Sequence, residues 1–150
     1  HMKVISYQGP DKIGKTSTLK ELIKMLQSGG GSILAKNRTF QCGMNGLMDV
    51  WCVFEVNIKG KNTYVGVITA GDAPTALKVR FDVMIHMCVE LEIKLDWLFI
   101  ARHDTPGCKK WVDGITNCEI VKTVDDLPVN PNASHADQNR ARAKMLLALI

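Results

Sequence analysis

The segment Gly9-Pro10-Asp11-Lys12-Ile13-Gly14-Lys15-Thr16 fits the pattern glycine, four residues of any type, then Gly-Lys-Thr, at every specified position. Each residue type has a physical task. The glycines let the backbone turn tightly, so that successive N–H groups converge on one concavity suited to phosphate oxygens. A helix starting at Lys15 would add the positive end of its dipole. Lys15 reaches the β- and γ-phosphates of a nucleotide as a point charge, and the Thr16 hydroxyl is placed to bind Mg²⁺. The expected cradle is Gly9, Asp11, Lys12, Ile13, Gly14, Lys15, Thr16 and Ser17, with Lys15 as the catalytic cation and Thr16 as a metal ligand. Lys12 either adds charge near the γ-phosphate or faces solvent. The plain alternative for the whole segment is a glycine turn before a helix.

Ligands of open α/β sheets bind beyond the carboxyl ends of the strands, which ranks the remaining polar residues. Asp72 follows the β-rich run Asn62–Thr69. It reads either as a catalytic acid that contacts hydrated Mg²⁺ or positions the attacking water, or as the N-cap of the next helix. Thr69 either bonds the same hydrated metal or is an ordinary strand residue. Arg102 and His103 follow the apolar run Leu95–Ala101. Arg102 would stack on a base or neutralise γ-phosphate charge, since its guanidinium is planar and always charged; the alternative is a solvated loop arginine. His103 reads as a loop histidine, because phosphoryl transfer is mostly positioning and charge neutralisation and needs no histidine base. Arg38 and Thr39 lie in the loop after the first helix.

These residues need a scaffold. Lys3–Tyr7 is a short β-prone run that ends at Gly9. Leu19, Leu22, Ile23 and Leu26 then recur at helical spacing, with Lys20, Glu21, Lys24 and Gln27 on the other face, until Ser28 and three glycines end the helix. Ala35–Met48 shows no period and reads as a loop. Val50–Ile58 and Asn62–Thr69 read as a β-hairpin across a tight turn at Lys59-Gly60-Lys61-Asn62. A second helix opens near Asp72 and Pro74 with an apolar stripe of Leu77, Phe81, Met84, Ile85, Cys88 and Leu91. Leu95–Ala101 reads as a strand covered on both faces. A short helix within Thr105–Ile115, a strand at Glu119–Val124 and a helix capped by Ser134 and running to Ile150 complete the chain. The order β-α-ββ-α-β-α-β-α predicts a three-layer α/β fold of one domain over residues 1–150, its sheet mostly parallel with one antiparallel hairpin strand.

The loop pattern in this setting, with its strand before and its helix after, resembles the P-loop NTPase superfamily. The specific resemblance covers about Lys3–Leu26. Within the superfamily, the opening is similar to that of thymidylate-kinase-like nucleotide kinases, where Gly-x-Asp-x-x-Gly-Lys-Thr precedes a similar helix. The chain departs from them afterwards: it has no Asp-Arg pair after a core strand and no Arg-rich lid insertion. The hairpin after the first helix is similar in order to that of small GTPases. There, Ile68 stands where their Asp-x-x-Gly aspartate would be. Asp104-Thr105-Pro106-Gly107 matches by letters but follows a different strand, and no Asn-Lys-x-Asp guanine motif occurs. Pro10 occupies the position of the signature lysine of partitioning ATPases. The resemblance implies a Mg²⁺-dependent nucleoside triphosphate site that prefers ATP over GTP.

Composition narrows the rest. The 150 residues are 46% hydrophobic and 23% charged, which excludes a disordered, collagen-like or coiled-coil chain. No apolar run spans a membrane. The net charge of +4 tolerates a polyanion, yet only 6% of residues are aromatic and they do not interleave with basic ones, so nucleic acid is not indicated. The five cysteines, with no Cys-x-x-Cys pair, read as reduced thiols of a cytoplasmic protein rather than a zinc or disulfide set. His1-Met2 reads as the remnant of a cleaved tag. The chain is thus expected to be a small ATPase. The alternatives are a kinase that would anchor its acceptor through Arg38, Arg80 or Arg102, and a low-turnover switch. A protein partner would dock through residues 35–48 or the helix Ser134–Ile150; packing of that helix's apolar end on the sheet is the plainer expectation.

Overall fold

Alternation of side chains along a strand sends successive residues to opposite faces, and here both faces are apolar. Val4, Leu98 and Ile100 point one way while Ile5, Tyr7 and Phe99 point the other, each set fully buried. Such strands need helices above and below. The computed structural model describes residues 1–9, 14–37, 50–69, 73–115, 117–124 and 127–150 and places them in that arrangement.

The elements, in chain order, are β1 (Met2–Gln8), α1 (Lys15–Ser28), β2 (Ser32–Lys36), β3 (Trp51–Ile58), β4 (Lys61–Ile68), α2 (Pro74–Glu90), β5 (Trp97–Arg102), α3 (Pro106–Asp113), β6 (Cys118–Val124) and α4 (His135–Leu147). Among the described residues six strands form one sheet in the order β2-β3-β4-β5-β1-β6. β4, β5, β1 and β6 run parallel, and β3 opposes both of its neighbours. The expected α/β fold with a mostly parallel sheet and an antiparallel hairpin is what the chain adopts.

Several boundaries differ from expectation. The stretch expected to be a loop from Ala35 begins as strand: β2 includes Ala35 and Lys36. It is a five-residue edge strand with one buried residue, too short to show a period. The hairpin turn contracts to two residues, Lys59 (φ 53°) and Gly60 (φ 81°), with Ile58 paired to Lys61. Two successive positive φ angles match the twist of the flanking strands, and glycine accepts the second at little cost. The N-cap of α2 falls at Ala73, one residue after the expected Asp72. β5 starts later and ends later than Leu95–Ala101, so that Arg102 is its last residue rather than a loop residue.

Helices α1 and α4 cover one face: Leu19, Leu22, Ile23 and Leu26 pack with Ala143 and Leu146 over Ile5, Tyr7, Phe99 and Val67. Helices α2 and α3 cover the other: Leu77, Met84, Cys108 and Val112 pack over Val4, Ile68, Leu98 and Ile100. Phe81 meets Trp111 edge-on at 5.5 Å and joins the two helices. Leu91, expected in the core stripe of α2, is its C-cap and is exposed. Among the described residues, no helix is long and apolar enough to cross a membrane.

Candidate functional site

The carboxyl end of β1 leads through Gly9 into the glycine-rich segment and from Gly14 into α1. Pro10, Asp11, Lys12 and Ile13 lie outside the described residues, as do Arg38, Thr39 and Asp72. Gly14 is the N-cap of α1 at φ 87°, a conformation open to glycine and strained for other residues. No side chain caps the helix, and its first turn contains no acidic residue. The positive end of the dipole therefore has no counter-anion within the helix's own first turn.

Lys15 opens the helix half-buried, and its Nζ donates to the Gly9 carbonyl at 2.5 Å. That bond ties the first residue of α1 to the residue that follows β1. The Thr16 hydroxyl donates to the Thr69 carbonyl at 3.0 Å. Thr69 is fully buried just beyond β4; its Oγ1 accepts the Val50 N–H at 2.9 Å, and its own N–H donates to the Val50 carbonyl. Helix α1 is thus pinned to the end of the hairpin although β5 separates β4 from β1 in the sheet. Thr69 is structural in this arrangement and also holds the start of the segment that leads to Asp72 beside Thr16. Ser17 is exposed.

Arg102 is only 3% exposed. The β1–β5 register sets it opposite Gln8. Its Nε donates to Ser6 Oγ at 3.1 Å, one terminal nitrogen to the His103 carbonyl at 2.8 Å and the other to Gln8 Oε1. Three of its five N–H groups are so used. All three partners are neutral. A guanidinium buried without a carboxylate is costly unless something offsets its charge. This geometry corrects the solvated-loop alternative, and the buried guanidinium plane is not available to stack on a base. His103 serves the network through its carbonyl.

Sequence reasoning passed over the contribution of α4. A side chain built on Gly14 would meet Asn139 Oδ1 at 2.6 Å and the Arg142 Nη1 at 3.9 Å. Thr18 Oγ1 also lies 3.5 Å from Asn139 Oδ1. The available signal was Asn139 and Arg142 at spacing i, i+3 on the inward side of a helix whose next turn buries Ala143 and Leu146.

Comparison with protein families, curated proteins and solved structures finds no match.

Two cavities lined by described residues lie at the amino edge of the sheet, opposite this site. One, of about 550 Å³, is bounded by Met25, Leu26, Val56, Ile58 and Leu147. The other, of about 800 Å³, is bounded by Met2, Phe81, Ile85, Cys88 and Leu95. Both linings are mostly apolar, with Lys59 and Lys144 in the first and His1, Cys88, Lys94 and Asp96 in the second. Among the described residues no three His, Cys, Asp or Glu side chains gather as a metal site. The carboxyl edge carries Lys15, Thr16, Arg102 and the tip of Arg142.

Proposed function

We propose that this chain is a P-loop nucleotide-binding protein that takes a Mg²⁺-bound nucleoside triphosphate, ATP in preference to GTP, and hydrolyses it slowly. One observation carries the reading: a left-handed glycine at the uncapped N-terminus of a helix that follows a parallel strand, with a lysine and a threonine in its first two positions. That geometry supplies the first amides of a helix, the positive end of its dipole and a lysine cation side by side.

On this reading Lys15 exchanges the Gly9 carbonyl for phosphate oxygens, and the amides at the start of α1 take up the charge of the β-phosphate. The donor set fits Mg²⁺, which usually keeps several waters and draws its other ligands from one or two protein oxygens and the substrate phosphates. Thr16 would be the protein ligand, its hydroxyl standing in the first turn of α1 where it donates to the Thr69 carbonyl. Bound there, Mg²⁺ would neutralise charge on the β- and γ-phosphates. Arg102 would contribute a fixed positive field from beside the end of β1. Asp72 remains the proposed water-positioning acid, since three residues of chain keep its Cα within about 11 Å of Thr69. The ATP preference rests on the absent Asn-Lys-x-Asp motif in the sequence.

Lys15→Ala should abolish binding of Mg-ATP in calorimetry while leaving the far-ultraviolet spectrum intact. Undiminished affinity in that variant would overturn the reading. Release of ADP and free phosphate without an added acceptor is the expected product pattern. ADP appearing only when a nucleoside or nucleotide acceptor is supplied would replace hydrolysis with phosphoryl transfer.

A further inference from the structure

The chain's last helix reaches back to its first loop. Helix α4 packs along α1, with Ala143 and Leu146 buried in the shared core. One turn earlier on that side, Asn139 sits against Gly14 and Thr18, and Arg142 brings its Nη1 to 3.9 Å from where a Gly14 Cβ would stand. Arg142 is half-buried. Arg140, two residues away, is exposed and lies 3.5 Å from Asp137. Arg142 makes no hydrogen bond or ion pair with any described residue. A guanidinium is a planar fork of donors that matches phosphate oxygens in pairs, and it loses little by exchanging water for them. Placing it beside the last glycine of the loop, unengaged by the described residues, has no packing purpose that a methionine would not serve.

The geometry points to Arg142 as a phosphate ligand supplied from outside the loop motif, held in place by the contact of Asn139 with Gly14 and Thr18. The inference rests on the nucleotide reading above. It names which distant element completes the site: the phosphate chain would be held between the N-terminus of α1 and the side of α4. Nucleotide would then tie the two helices together, and α4 would be more firmly seated when the site is filled.

The test uses the full chain and Mg-ATP, Mg-ADP and AMP as probes in calorimetry. Arg142→Gln should weaken Mg-ATP binding about tenfold or more, as expected for loss of a charged hydrogen-bonding partner. Arg142→Lys should recover part of that loss, and Arg140→Gln should stay within about twofold of the parent. AMP should discriminate little between parent and variants. In the parent chain, Mg-ATP should slow amide exchange across residues 135–147, and Arg142→Gln should remove that protection. If the parent binds Mg-ATP and Arg142→Gln binds it equally well, the inference is overturned and the nucleotide reading stands. A parent chain that binds none of the three probes overturns both. A variant with a lowered melting point but unchanged nucleotide affinity would assign Arg142 to packing and overturn the inference too.

Discussion

Gly14 is bounded twice, by its own backbone angle and by a neighbour's side chain. Alanine there would have to hold φ 87° and place its methyl 2.6 Å from Asn139 Oδ1. The left-handed conformation alone costs about 1–2 kcal/mol for a residue with a Cβ, and the clash adds to it. Gly14→Ala should lower the melting temperature by several degrees and weaken nucleotide binding, whereas Gly60→Ala, whose surroundings are open, should show only the backbone cost. Thermal melts of the two variants check this. Burial raises the Cys52 thiol well above its ordinary range. Folded Cys52 thus keeps its proton where the unfolded chain loses it. Its contribution to stability is complete below about pH 8.5 and declines as pH rises further. Denaturant melts from pH 7 to 10 should show this decline, and Cys52→Ala should flatten it despite its own loss of packing.

At the scale of elements, the sheet and helices respond to single positions in ways that packing dictates. Ser134 Oγ accepts the Asp137 N–H at 3.1 Å and fixes the start of α4. Ser134→Ala should cost about 1 kcal/mol and, because α4 carries Asn139 and Arg142, should also loosen the contact at Gly14. Urea denaturation measures the first effect, and amide exchange over residues 135–147 the second. In the middle of β4, Gly66 leaves the space that α2 fills. A Cβ there would stand 2.9 Å from Leu95 Cδ1 and 3.1 Å from Met84 Sδ. Gly66→Ala should therefore overpack this layer at a cost of about 1–3 kcal/mol, and Gly66→Ala combined with Met84→Ala should recover part of it. A recovery absent from the double variant would place the strain elsewhere.

Across the whole molecule, periodicity and punctuation made the strands, helices and layer arrangement legible, because each buried face repeats its apolar residues many times. Leu19, Leu22, Ile23 and Leu26 announce α1 without help from any other part of the chain. What stayed hidden depends on pairing between distant segments. Arg102 looked like a loop residue because the apolar run stops at Ala101. Its burial comes from Ser6 and Gln8, which the β1–β5 register brings opposite it some 95 positions away in sequence. Ala35 and Lys36 have little strand character of their own and are held by β3. Lys15 and Thr16 were legible from the loop pattern, whereas Asn139 and Arg142 were not, since nothing local in α4 refers to Gly14.

The sheet ends in two imperfect borders. β2 spans only five residues, slips register against β3 between Ile33 and Ala35, and finishes at a lysine. At the other border, the pairing of β6 with β1 shifts between Val4 and Ile5, and β6 bears Glu119 and Lys122. A straight, evenly hydrogen-bonded rim would invite another chain to add a strand and begin a fibre. Bulged, short and charged rims resist that addition. By that rule, both described borders of this sheet oppose the addition of a further strand to its apolar interior.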